Sequence, residues 1–165
     1  MPLLDGYDRK ILTELQRSGR IAMSELAERV GLSASPCWRR VRRLEDAGVI
    51  RGYGARIAPE MVGLGLNVFV YVSLNLHQAE GFEAIIGERP EVIECYAITG
   101  NSDYLLHVMV PDMEAFDTFL RTELVHMPGV DRVNTTFALK AVKQATPLPL
   151  DRPSTSSKPP PKAAG

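Results

Sequence analysis

Four arginines, Arg39, Arg40, Arg42 and Arg43, crowd the stretch SASPCWRRVRRLEDAGV. A guanidinium is a permanent cation whose planar fork matches phosphate oxygens and the O6/N7 edge of guanine. On a wheel of ~100° per residue, Cys37, Val41, Leu44 and Gly48 share an apolar face. Ser35, Arg39, Arg42 and Arg43 point the other way, with Trp38 and Arg40 on the flanks. Some of these arginines are expected to grip phosphates, which supplies affinity and register, while one reaching a base edge supplies sequence choice. Arg39 points furthest from the apolar face and is the expected base reader. Ser33 and Ser35 either cap the helix or bind phosphate, and the two readings weigh equally. The competing view is a solvated basic face on an ordinary helical hairpin. It explains less, because turn, cap and arginine cluster coincide in one motif-sized window.

Residues 22–47 would position this face. Leu26, Ala27 and Val30 give a first short helix its apolar stripe, and Gly31 suits a left-handed stop. Ser33 fits the N-cap of a second helix, and Pro36 lies within its first turn, where a missing N–H breaks no helical bond. Leu4 to Ser18 reads as a preceding helix, with Asp5 as cap and Asp8 in the first turn. Tyr7, Ile11 and Leu15 repeat at helical spacing and are expected to face the pair. Three such helices make a helix-turn-helix domain over residues 4–49.

The remaining chain differs in charge and pattern. Residues 1–60 carry 11 basic and 8 acidic residues, residues 61–145 carry 5 and 11, and residues 146–165 carry 3 and 1. A basic head on an acidic body suits a nucleic-acid-binding domain joined to a domain with another task. Residues 50–64, with Gly52 and Gly54, read as a wing or linker strand from Ile50 to Ile57. In Leu66 to Leu76 the apolar residues Leu66, Val68, Val70, Val72, Leu74 and Leu76 alternate with Asn67, Phe69, Tyr71, Ser73 and Asn75, the pattern of a strand. Gly81 to Glu88 reads as a helix. Glu91–Thr99 and Tyr104–Val110 form a hairpin around the turn residues Gly100, Asn101, Ser102 and Asp103. A helix capped by Asp112 follows, with Phe116, Leu120 and Leu124 inward, and then a strand from Val130 to Lys140. The order strand, helix, strand, strand, helix, strand is the ferredoxin-like split βαβ over residues 65–145, and the fold class is α+β. Both helices would cover one sheet face. The other, with Phe69, Tyr71 and Met109, is expected to pair two copies. Residues 146–165, rich in Pro, Ser and Lys, read as a disordered tail.

Several classes fall away. No apolar run approaches the ~18 residues of a membrane span, and the first residues lack the pattern of a signal peptide. Cys37 and Cys95 show no metal or redox spacing and are expected as small buried thiols in a reducing cytoplasm. His77, His107 and His126 match no metal site, and no catalytic constellation or phosphate-cradling loop is present. No cofactor, metal or catalytic residue is expected. An enzyme with an accessory helix-turn-helix is the rival class, since a ferredoxin-like fold does not fix function.

The segments LDGYDRKILTELQRSGR, ELAERVGLSASPCWRRVRRLEDAGVIRGYGARI and GNSDYLLHVMVPDMEAF, with the later PGV, together resemble the leucine-responsive Lrp/AsnC, or feast/famine, family of transcription regulators. The likeness runs from about Leu4 to Lys143. It implies a cytoplasmic, non-enzymatic regulator that binds double-stranded DNA through Ser33, Ser35, Trp38, Arg39, Arg40, Arg42 and Arg43. It also implies a homodimer assembling into octamers or other multiples of dimers, with an amino-acid effector bound between dimers. The effector residues would be Gly100, Asn101, Ser102, Asp103 and Tyr104 of the hairpin, with Thr135 and Thr136 from the last strand around Asn134. Turn N–H groups would meet the effector carboxylate, and Asp103 its ammonium. A hairpin turn without a ligand is the plainer alternative. Many relatives carry an acidic residue where this chain has Asn101, and a regulator that needs no effector is the alternative that departure raises.

Overall fold

The structure is a computed structural model describing residues 4–75, 79–144 and 147–150. It divides into two compact units. One is the chain up to Ala55 together with the chain from Lys143 onward, and the other is Arg56–Val142.

The first unit is the helical head. Helix α1 (Gly6–Arg17) opens on a reciprocal capping box. The Asp8 N–H donates to Asp5 Oδ1 at 2.9 Å, and the Asp5 N–H donates to Asp8 Oδ2 at 3.0 Å. Helix α2 (Met23–Val30) ends on Gly31 at φ 74°, as expected of a left-handed stop. Helix α3 (Ala34–Asp46) starts after Ser33, which is extended, although its hydroxyl makes no cap hydrogen bond. Ile11, Leu12, Leu26, Ala27, Val30, Cys37, Val41 and Leu44 form the shared core. The inward face of α1 runs through Asp8, Ile11 and Leu12 rather than through Tyr7, which is exposed. The physical reason is ionic: the buried Asp8 takes the inward place in the first turn to meet arginines from α3.

Expectations also change beyond the helices. Residues 51–58 form no strand, because this glycine-interrupted segment finds no ladder partner among the described residues, and Pro59–Val62 turns as a 3-10 helix instead. Residues 147–150, expected to begin a structureless tail, belong to the head, where Arg9 and Gln16 hydrogen-bond their backbone. Thr146 and residues 151–165 of that expectation, and Leu76 and His77, lie outside the described residues.

The second unit is a four-stranded antiparallel sheet with helices on one face. Its strands are β1 (Leu66–Leu74), β2 (Val92–Ala97), β3 (Tyr104–Val110) and β4 (Val130–Phe137), in the order β2-β3-β1-β4. Helix α4 (Ala79–Ile86) lies between β1 and β2 in the chain, and α5 (Met113–Thr118) between β3 and β4. This is the expected ferredoxin-like arrangement. Val68, Val70, Val72, Leu106 and Val108 are buried on the helix side with Phe82, Ile86, Phe116, Phe119 and Leu124. Asp112 caps α5 by accepting the Ala115 N–H, as its position implies. The helix then widens into a π-turn at Phe119–Glu123 and tightens into a 3-10 turn at Leu124–His126. That extra residue swings Phe119 inward and leaves Leu120, the expected core residue, half-buried. Strand β4 ends at Phe137, paired with Val68, instead of at Lys140; one further bond follows, from the Ala138 N–H to the Asn67 carbonyl at 3.0 Å. Cys95 is exposed on the edge strand β2, against the expectation of burial, while Cys37 is buried.

Candidate nucleic-acid interface and effector site

On the head, the arginine cluster separates into two groups. Arg40 Nη1 lies 2.6 Å from Asp5 Oδ2 and 2.9 Å from Asp8 Oδ1, and Arg43 Nη2 pairs with Asp8 Oδ2. Arg40 also lies over the Tyr7 ring, 5.4 Å from its centroid. Asp5 and Asp8 hold the Arg40 guanidinium above its ordinary pKa, and Asp5 is lowered chiefly by the Asp8 N–H. These two arginines therefore turn back toward the start of α1, although the helical wheel sends Arg43 outward. A flexible stem swings its cation to a buried carboxylate that would otherwise be costly.

Arg39 and Trp38 are exposed, and no ion pair holds Arg39 among the described residues. Trp38 is 53% exposed, a large apolar surface set among cations. The Arg42 guanidinium lies 6.0 Å from the Trp38 ring centroid, and its Nη1 is 3.9 Å from Glu45 Oε2, a loose pairing. Met23, Ala34, Ser35, Trp38 and Arg39 line a shallow depression where the starts of α2 and α3 meet. Ser33 stands at the entry to α3 with its side chain exposed. The face thus offers one guanidinium without an ion pair, two hydroxyls, one indole and a second guanidinium beside the indole. Such a set can take phosphate, a guanine edge and a thymine methyl. Asp5, Asp8 and Met23 were not among the expected site residues. Asp5 as cap and Asp8 in the first turn were legible, but their reach to a helix more than 30 residues later was not.

In the second unit the hairpin turn is tied down from two sides. The Asp103 N–H donates to the Val72 carbonyl at 2.9 Å, and Asp103 Oδ2 accepts the Leu74 N–H at 2.7 Å. Gly100 takes φ 124°, a conformation that favours glycine, and Ser102 is buried. The Asn101 carbonyl accepts from Arg132 Nη2 at 2.9 Å and from Ser73 Oγ at 3.4 Å. Arg132 was missed in the sequence. Strand alternation could have found it, because Arg132, Asn134 and Thr136 lie opposite Ser73, Tyr71 and Phe69 on the open face.

The same alternation corrects the expected cluster. Thr135 pairs with Val70 and so lies on the helix side, away from Thr136. Tyr104 is also on the helix side, where its hydroxyl donates to Glu83 Oε1 at 2.6 Å and its pKa is pushed up to about 12, mainly by that hydrogen bond. Gly100, Asn101, Ser102, Asp103, Ser73 and Arg132 therefore come together, while Tyr104 and Thr135 do not join them. At the centre of the open face, His107 stacks on Phe69 with 4.8 Å between centroids. Its Nε2 is 2.8 Å from Asn67 Oδ1, and its Nδ1 is 3.4 Å from Glu94 Oε2. No cluster among the described residues could hold a metal ion, and no helix among them is long and apolar enough to cross a membrane.

A basic helix-turn-helix head joined to a ferredoxin-like domain defines a class of two-domain DNA-binding regulators. Profile comparison matches residues 4–51 to a winged helix-turn-helix DNA-binding domain and residues 67–148 to the Lrp/AsnC ligand binding domain. The chain is 44% identical over 148 residues to the leucine-responsive regulatory protein of Salmonella typhimurium, covering 88% of this chain and 90% of that one. It is 38% identical over 152 residues to the DNA-binding transcriptional activator DecR of Escherichia coli, covering 90% and 100%. A crystal structure of a transcriptional regulator from Neisseria meningitidis in complex with L-Met superposes with a TM-score of 0.87 at 46% identity, covering 90% and 98%. The chain belongs to the Lrp/AsnC family of transcriptional regulators, and it is a DNA-binding regulator with a ligand-binding C-terminal domain.

Proposed function

We propose that the head reads operator DNA through Arg39, Trp38, Ser35 and Arg42, with Ser33 at the edge, and that Arg40 and Arg43 serve chiefly to hold α3 on α1. The supporting observation is the split of the cluster: the latter pair is bound to Asp5 and Asp8, whereas Arg39 carries no ion pair among the described residues. Regulation of DNA, with no catalytic turnover, is the whole activity in this reading, and the cytoplasm is its location. Footprinting on genomic fragments selects an operator, and fluorescence anisotropy then tests it. Arg39→Ala should cost about 1–3 kcal/mol on that operator and relax one base preference. Unchanged affinity for both operator and random duplex would remove Arg39 from this role.

The C-terminal domain, in the same proposal, binds an amino acid beside the 100–103 hairpin where copies of the chain meet. Arg132 stands ready for the carboxylate, a role the fork geometry of guanidinium suits. Asp103 contributes as the lock of the turn, because one of its oxygens already holds Leu74. The complex of the Neisseria relative with L-Met supports this class of ligand. The open sheet face pairs two copies, and dimers assemble further into octamers or other multiples. A ligand bound between dimers shifts the balance of assemblies toward the state it binds better, and assembly changes its affinity by the same factor. Calorimetry with L-Met, L-Leu and a panel of other amino acids on wild type and Arg132→Ala tests the site. Equal binding to both proteins places the ligand elsewhere. An effector-independent regulator is the second reading, favoured by Asn101 and by the engagement of Asp103, and it predicts no heat with any amino acid.

A further inference from the structure

An apolar groove runs along α1 beside the segment that follows α3, lined by Leu4, Leu12, Leu15, Val49, Ile50 and Tyr53. Leu148 and Leu150 also line it, and Leu150 packs against the core of the head. Polar contacts fix the register. The Leu148 N–H donates to Gln16 Oε1 at 2.6 Å, and Gln16 Nε2 donates to the Leu148 carbonyl at 3.4 Å. One carboxamide thus meets both backbone groups of one residue, the pairing a neighbouring strand would otherwise supply. The Leu150 carbonyl accepts from Arg9 Nη1 at 2.9 Å.

The composition of the segment fits this use. Pro147 and Pro149 have no N–H to satisfy and a fixed φ, so docking leaves fewer orphan donors and costs less chain entropy than an ordinary tetrapeptide would. Leu150, half-buried, supplies the apolar surface, whereas Leu148 is 70% exposed and engages chiefly through its backbone. Covalent attachment keeps the segment at high effective concentration beside its groove.

We infer that this groove is a binding site for the chain's own Pro147-Leu148-Pro149-Leu150 segment, which completes the head from beyond the C-terminal domain. The second unit is then joined to the head covalently at both ends, at Ala55–Arg56 and at Val142–Lys143, so the fold of the head depends on residues from both flanks of the ligand-binding domain. The contact uses neither the exposed face of α3 nor the 100–103 hairpin, so its test stands apart from theirs.

Hydrogen exchange on the full chain reads it. In Leu148→Asp/Leu150→Asp, amides of α1 and of residues 49–53 should exchange at least ~10-fold faster than in wild type, while the β-sheet amides keep their rates. Gln16→Ala should move the same amides in the same direction by less, and it keeps the test open if the aspartates unfold the head. Unchanged exchange in both variants overturns the inference. A photo-cross-linker at position 148, in a mixture of heavy and light copies, should couple to α1 of its own copy. Coupling found only between heavy and light copies overturns the assignment to the same chain.

Discussion

Asp8 has no exposed surface and yet holds two guanidinium groups and one backbone N–H. Asp8→Asn keeps the volume and removes the charge, and it should cost the head about 2 kcal/mol of stability in urea unfolding. Asp5 adds a pH dependence. Its carboxyl is held below the ordinary 3.8, chiefly by the Asp8 N–H and then by Arg40, against the opposing effect of burial. A group depressed on folding binds protons more tightly when unfolded, so its stabilisation is complete above pH 3.8 and is lost as pH falls through the lowered value. Between pH 3.8 and the lowered value the urea midpoint should fall more steeply for wild type than for Asp5→Asn. Asp5 as the cap of α1 and Asp8 in its first turn were legible in the sequence. Their pairing with Arg40 and Arg43 was not, because a helical wheel describes one helix and says nothing of a carboxylate buried on another. The outward position of Arg39 was legible for the converse reason: among the described residues no carboxylate draws it aside.

At the scale of elements, period-2 alternation placed β1, and the turn residues 100–103 placed the start of β3. Alternation was not applied to β4, where it separates Thr135 from Thr136 and brings Arg132 to the hairpin. The π-turn in the second long helical stretch lay beyond reach, since an extra residue in a turn leaves no trace in spacing until its packing is known. It yields a measurable contrast. Phe119→Ala should destabilise the C-terminal domain by about 3–5 kcal/mol, and Leu120→Ala by clearly less, in thermal or urea unfolding. The open sheet face makes a second prediction. Phe69→Asp would set a carboxylate against the His107 ring within an apolar contact, and Tyr71→Asp would do so on the neighbouring strand position. Sedimentation should show either variant shifted at least ~10-fold toward monomer at micromolar concentration. A wild type that sediments as a monomer would refute self-association through this face.

At the scale of the whole molecule, two compact units with separate cores predict two unfolding transitions in calorimetry, one for each domain. Asp8→Asn should lower only one of them and Phe119→Ala only the other. The order of elements and the opposed charges of the two halves suggested a head over 4–49 and a body over 65–145, whereas the two units divide at Ala55–Arg56 and Val142–Lys143. The place of residues 147–150 was not, because a Pro-rich composition describes what a segment cannot do alone and is silent about a groove elsewhere that accepts it.

The carboxylates that begin α1 are also the ones that hold α3. DNA preference in this protein is therefore not portable as a single helix. A chimera that receives residues 34–46 in a scaffold without acids at the places of Asp5 and Asp8 would carry Arg40 and Arg43 unpaired, free to add indiscriminate phosphate contacts. Such a graft should gain affinity for random duplex while losing discrimination. The transferable module is α3 together with the acidic start of α1.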